Sequence, residues 1–138
     1  MMFYKFARSL KKDQRGFTLV ELMVVVVIIG VLVAIAVPVY RNVTDNANRK
    51  TVEANLRIID SAIVQHLAIN PGVPPTSDNL VTGGFLRAWP TGPTGVTRYV
   101  IVGTGTAANP YRAAVDIPAN TFGTHAELDD APLPITWQ

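Results

Sequence analysis

A nearly unbroken apolar run close to the N-terminus limits how this chain can fold. It covers Phe17–Val39, 23 residues interrupted in polarity only by Thr18, Glu21 and the near-neutral Gly30 and Pro38. As a helix the run extends about 34 Å at ~1.5 Å per residue, which is enough to cross a hydrocarbon core of ~30 Å. The sequence therefore predicts a membrane-spanning helix.

Charge is distributed unevenly around this run. The first sixteen residues contain one acid, Asp13, and five basic residues, Lys5, Arg8, Lys11, Lys12 and Arg15. By the positive-inside rule, this cluster predicts a single-pass protein with its N-terminus in the cytoplasm and the rest exported. Without those sixteen residues the net charge changes from +2 to −2. The bulk charge therefore gives no reason to expect nucleic-acid binding.

Glu21 is the residue that an ordinary membrane anchor does not explain. An ionised carboxylate in lipid costs several kcal/mol, and no Lys, Arg or His lies within the run to pair with it. A cut after Gly16 would give Phe17 a positively charged amine, one helical turn from Glu21 in the same chain, or available to Glu21 of a neighbouring chain. Two alternatives remain: an uncut signal anchor, and a secretory signal cleaved at 34–36, which has the A-x-A pattern.

The segment around this acid carries a specific resemblance. Its sequence is Arg15-Gly16-Phe17-Thr18-Leu19-Val20-Glu21-Leu22-Met23-Val24-Val25, and it resembles the class III signal of type IV prepilins and type II secretion pseudopilins. The resemblance implies that a membrane prepilin peptidase and methyltransferase cuts after Gly16 and N-methylates Phe17. It also implies that Glu21 aligns an incoming subunit with the terminal amine of another.

The same resemblance implies a structural function and no enzymatic activity. The expected protein is the major pilin of a type IV pilus, stored in the inner membrane and assembled with copies of itself into an extracellular filament. Its further expected partners are an assembly-platform membrane protein, minor pilins and, before assembly, membrane lipid. The alternatives are a pseudopilin of a type II secretion or competence system, with a periplasmic or wall-spanning filament, and a membrane-anchored binding domain.

Gly30 and Pro38 bound the weakest part of the predicted helix. Proline removes a backbone donor and clashes with the preceding turn, and glycine lowers helix propensity by ~1 kcal/mol. We expect a kink in this stretch. The resemblance adds that the stretch can lose helical structure in the filament.

Beyond Pro38 the helix is predicted to continue to about Asn70, where Pro71-Gly72 ends it. This half is amphipathic, because Val52, Leu56, Ile59, Ile63 and Leu67 form an apolar stripe and Lys50, Glu53, Arg57 and Ser61 line another face. The predicted divisions are a cleaved leader at 1–16, a membrane and filament-core half-helix at 17–39, an amphipathic half-helix at 40–70 and a head at 71–138.

The C-terminal part predicts a small antiparallel sheet. Pro and Gly residues make 71–95 a loop, with one helical turn at 77–81 capped by Ser77. Strands are predicted at 98–102 and 111–116, joined as a hairpin, with a third near 134–138. Without cysteines the head has no disulfide and must use the helix as half of its core. The fold class is α+β, with the type IV pilin fold that the resemblance implies.

Other motifs are discounted. Gly103, Gly105 and Ala108 fit a dinucleotide-binding pattern, but Asn109-Pro110 follows where a phosphate-binding helix should begin, so a hairpin turn is expected. His66 and His125 have no second ligand or nucleophile nearby in sequence. Major pseudopilins bind calcium in the C-terminal region, but the acidic residues Glu127, Asp129 and Asp130 lack that pattern. We therefore predict no cofactor, no metal and no direct DNA binding.

Overall fold

The computed structural model describes residues 16–123 and 127–137. Its elements are α1 (Leu19–Ile69), α2 (Ser77–Thr82), β1 (Arg98–Val102), β2 (Arg112–Ile117) and β3 (Leu128–Pro132). Internal contacts divide the chain at Pro38 into two units, an apolar segment up to Pro38 and a head from Val39 onward. The predicted basic leader, apart from Gly16, lies outside the described residues.

The apolar segment consists of the first part of α1. Its large hydrophobic side chains are exposed throughout, with Val26 and Leu19 among the most accessible. The helix is long and apolar enough to cross a membrane by length and composition. An isolated segment of this kind leaves its whole circumference available to lipid or to other helices.

In the head, the second part of α1 supplies one side of the hydrophobic core. Val52, Leu56, Ile59 and Ile63 are buried, as their spacing predicts, and Leu67 packs at the edge of the same core. The helix ends at Ile69, one residue before the predicted end, because Pro71 cannot continue it and Gly72 adopts a positive φ of 87°.

A three-stranded antiparallel sheet in the order β1-β2-β3 supplies the other side of the core. Tyr99 of β1 pairs with Val115 of β2, and both side chains are buried. Helix and sheet are also joined by a polar contact, in which the N–H of Ala113 donates to Oδ1 of Asp60 at 2.6 Å. The α+β prediction, with a long helix packed on a small antiparallel sheet, is confirmed.

The connections follow the predicted chemistry with small corrections. The short helix α2 is capped by Thr76, which forms a capping box with Asn79, and Ser77 is the first helical residue rather than the cap. The loop after β1 contains Gly103 with φ 108°, where a Cβ would collide with the carbonyl of Pro110. That loop is the hairpin connection and opens no helix.

The predicted position of the third strand is wrong. It was expected near 134–138, whereas β3 lies at Leu128–Pro132. Alternation of Ile135 and Trp137 suggested a strand, but both side chains pack against the core from a segment without strand pairing. The acidic β3 has no apolar alternation, and its register with β2 shifts between Val115 and Ile117, so that β3 has one residue more than β2 there.

The end of the described chain is fastened to α1 through Trp137. Its Nε1 donates to Oε1 of Glu53 at 3.1 Å, and its ring lies 5.1 Å from the guanidinium carbon of Arg49 and edge-on to Phe122. Glu53, predicted to lie on a different face from the apolar stripe, is therefore only 14% exposed. Burial alone would raise the pKa of Glu53, but the bonds from Trp137 and Lys50 outweigh it and hold that pKa below its usual value.

Trp137→Phe is predicted to lower the free energy of unfolding by about 1–3 kcal/mol, because the ring is kept while a hydrogen bond to a charged group is lost. The measurement is denaturant unfolding of the full chain in detergent micelles, followed by circular dichroism. Trp89→Phe is the matched control, since Trp89 also packs at the edge of the core but has no bond to Glu53.

The same pair of variants has a pH signature. A lowered carboxyl pKa stabilises the fold above the unfolded value, near 4.5 for Glu53, and this stabilisation disappears as pH falls through the folded value. The destabilisation by Trp137→Phe should therefore shrink as the pH falls below 4.5. Equal effects of both variants at neutral pH would contradict the bond between Trp137 and Glu53.

Candidate functional site

The predicted cleavage bond lies just before the first helix. Gly16, Phe17 and Thr18 are not helical, and α1 begins at Leu19. The Phe17 side chain is 83% exposed, and a Cβ at Gly16 would meet no atom within 4 Å. A peptidase can reach an exposed, non-helical backbone of this kind without unwinding the helix.

Glu21 and Thr18 form a capping box at the start of α1. The carboxylate oxygen Oε2 of Glu21 accepts from both the backbone N–H and the Oγ1–H of Thr18, each at 2.8 Å. In return the N–H of Glu21 donates to Oγ1 of Thr18 at 3.2 Å. The helix ladder starts at the same place, where the N–H of Leu22 donates to the carbonyl of Thr18. The arrangement satisfies two backbone donors that a helix end otherwise leaves free.

This geometry adds a partner that the sequence argument missed. The apolar run contains no cation that could pair with Glu21, but Thr18 offers neutral donors. The signal was present, because Thr-x-x-Glu ahead of an apolar run is the sequence signature of a capping box. The carboxylate also lies in the first turn of α1, where the helix dipole favours negative charge. Glu21 is therefore held by its own chain while the Gly16–Phe17 bond is intact.

Gly30 and Pro38 are both helical within α1. Proline has no N–H, so the carbonyl of Ala34 lacks its usual helical donor, and Gly30 has open space around its missing side chain. Kinking or melting of the stretch between them stays a prediction.

Other polar and aromatic residues that the structure describes make contacts within the head. His66 is buried in the core, with Nε2 3.3 Å from the carbonyl oxygen of Val73 and its ring edge-on to Phe85. His125 lies outside the described residues. Tyr99 is 6% exposed, and Arg98, which is 60% exposed, is paired with Asp116.

Comparison with known proteins agrees with the N-terminal geometry. Residues 11–37 match the family model described as the prokaryotic N-terminal methylation motif. The chain is 33% identical over 101 residues to the type II secretion system core protein G of Klebsiella michiganensis, covering 62% of this chain and 71% of that protein. It is 33% identical over 140 residues to the type IV major fimbrial protein FimA of Dichelobacter nodosus, covering 93% of this chain and 83% of the relative.

A third relative has higher identity over a shorter stretch. The type IV narrow pilus major component PilA5 of Thermus thermophilus is 47% identical over 60 residues, which cover 44% of this chain and 52% of that protein. No solved structure matches the chain significantly.

Thr18→Val and Glu21→Gln are predicted to separate capping from charge. The Val variant loses the hydroxyl and keeps the carboxylate, whereas Gln keeps a capping side chain and loses the charge. Loss of the cap should cost ~1 kcal/mol at the start of the helix. The N–H groups of Glu21 and Leu22 both bond to Thr18, so their hydrogen exchange, measured by NMR in micelles, should accelerate about fivefold in Thr18→Val and change little in Glu21→Gln. Equal protection in wild type and Thr18→Val would contradict the capping box.

Proposed function

The chain belongs to the family of type IV pilins and type II secretion pseudopilins, and we propose that it is the major subunit of a type IV pilus. The observation that carries this choice is the likeness to a major fimbrial protein, which extends over 93% of the chain. The likenesses to proteins named core protein G cover 51–70% of the chain. The role we propose is structural and involves no catalysis by this chain.

A second candidate is a pseudopilin of a type II secretion or competence system. Proteins named core protein G from several organisms are similar to this chain at 29–36% identity. The proposed N-terminal chemistry is the same for both candidates. They differ in the filament that the subunit builds and therefore in where that filament is found.

We propose that processing begins at the Gly16–Phe17 bond. A prepilin peptidase would remove residues 1–16 and a methyltransferase activity would modify the new amine of Phe17. Exposure of both residues ahead of the helix supports this step. The cut creates a positive charge at the membrane-embedded end of the chain. That charge is the cation that the apolar run of the uncut chain lacks.

We propose that the Glu21 carboxylate pairs with this amine during assembly. In the uncut chain Thr18 donates two hydrogen bonds to the carboxylate, so Glu21 has partners while the subunit is in the membrane. The amine of Phe17 in a neighbouring subunit offers a full opposite charge, which is worth far more in a low-dielectric filament core than in water. A subunit docked in the correct stagger satisfies both charges, and one docked out of register leaves both unpaired.

The exposed apolar surface explains storage and assembly in the same terms. In the membrane this surface contacts lipid, with the basic leader on the cytoplasmic side and the head exported. Extraction from lipid is tolerated only when other copies of the helix cover the surface. An assembly-platform protein and minor pilins are the further partners that this transfer needs. We propose that the helix kinks or loses helical structure between Gly30 and Pro38 as the filament packs.

Mass spectrometry of the mature chain is predicted to find N-methyl-Phe17 as its first residue. Gly16→Val should retain residues 1–16, because the small residue before the cut is lost. Gly30→Ala is the control, since it alters a glycine inside the helix and should be processed normally. Cleavage after Ala36, or an uncut N-terminus, would contradict the proposal and favour a secreted or anchored binding domain.

Sheared surface filaments are predicted to contain this chain as their main protein. In Glu21→Gln cells the processed chain should accumulate in the membrane and the filaments should be lost, because Gln keeps the cap but cannot pair with the amine. The readouts are electron microscopy and protein identification of the sheared fraction. Filaments of normal abundance in this variant would contradict charge pairing. Absence of the wild-type chain from sheared filaments would favour the pseudopilin alternative.

A further inference from the structure

Three carboxylates meet where β2 and β3 fall out of register. The extra residue in β3 places Asp129 and Asp130 opposite Asp116, and one oxygen from each lies within 4.8 Å of the others. Asp130 has a φ of 46°, and its N–H donates to Oδ1 of Asp116 at 2.7 Å instead of continuing the ladder. A bulge with one residue in the left-handed region produces this arrangement.

Like charges at this distance repel one another, so a nearby cation would stabilise such a cluster. Carboxylate oxygens are the ligands that calcium prefers, at six to eight per ion and at 2.3–2.6 Å. The family resemblance also suggests calcium in this part of the chain. Whether these three carboxylates could bind calcium depends on the groups that already contact them.

Arg98 supplies a positive charge from the neighbouring strand. It is the cross-strand partner of Asp116, so both side chains lie on the same face of the sheet. Its Nε donates to Oδ2 of Asp116, and its Nη2 lies 3.9 Å from Oδ1 of Asp130. Asp116, at 13% exposure the most buried of the three carboxylates, thus has both oxygens bonded to protein donors. A divalent cation at that carboxylate would be repelled by the guanidinium charge of Arg98 and would compete with it for the same oxygens.

The electrostatic environment agrees with this geometry. The hydrogen bond with Asp116, followed by the charges of Asp116, Asp130 and Asp129, raises the pKa of Arg98. Burial would raise the pKa of Asp116, but the bonds from Asp130 and Arg98 outweigh it and keep that pKa below its usual value. The guanidinium therefore responds to all three carboxylates and not to one partner alone.

We propose that Arg98 takes the place of a divalent cation in this cluster, so that β3 is held on the sheet without calcium. The residues do not fit a resident calcium site, because the carboxylate at its centre is already committed to Arg98 and to the N–H of Asp130. The three strands are tied together by a charge that the chain carries itself. The inference concerns the head alone and is independent of the type of filament that the subunit builds.

The test uses the full chain in detergent micelles, with thermal unfolding followed by tryptophan fluorescence, because both Trp89 and Trp137 lie in the head. The wild type should have the same Tm in millimolar calcium chloride as in EDTA at matched ionic strength. Arg98→Ala in EDTA should lose roughly 4–8 °C. Calcium should restore much of that loss, since removal of the guanidinium frees the three carboxylates to bind it. Magnesium should restore less, because it demands a stricter geometry.

Two controls distinguish this effect from a general loss of charge. Arg87→Ala removes another exposed arginine of the head and should leave both the Tm and its insensitivity to calcium unchanged. Arg98→Lys keeps a cation and should remain insensitive to calcium. A wild-type Tm that rises with calcium, or saturable calcium binding to the wild type by calorimetry, would overturn the proposal. Destabilisation of Arg98→Ala that calcium does not relieve would also overturn it.

Discussion

The hydrogen bonds between Thr18 and Glu21 allow the apolar segment to contain a carboxylate. A carboxylate in an apolar helix is tolerated only with partners, and in the uncut chain those partners are a hydroxyl and an N–H of the same first turn. Because these donors are neutral, the carboxylate remains free to exchange them for a full positive charge. The proposed cut after Gly16 creates such a charge in every subunit, so the residue that is costly in lipid becomes useful in the filament.

In the head, a small sheet must be held against the helix without disulfides. It contains no cysteine, and the face of α1 that begins at Val52 forms half of its core. Side chains of the helix also bind the chain at distant points: Asp60 accepts from the N–H of Ala113 and Glu53 accepts from Trp137. Charges within the sheet add to these ties through Arg98. The head is therefore stabilised by polar contacts placed where strands and tail would otherwise come away from the helix.

Much of this fold was predictable from periodicity and from chain-breaking residues. The stripe from Val52 to Leu67, the helix end before Pro71 and the first two strands follow directly from local sequence, with errors of about one residue. The position of the third strand was not predictable in this way, because β3 is acidic and is placed by pairing with β2, which is distant in sequence. The capping role of Thr18 was visible as a motif. His66 appeared polar in sequence, yet tertiary packing buries it against Phe85.

The proposed pairing joins the carboxylate of Glu21 to the amine of Phe17 in an adjacent subunit. A high-resolution electron cryo-microscopy reconstruction of the native filament measures this contact directly. We expect each Glu21 carboxylate to lie within about 4 Å of the methylated amine of a neighbouring chain, with Phe17 as the first residue. A filament in which Glu21 faces only apolar side chains, or in which the chain begins before or after Phe17, would contradict it.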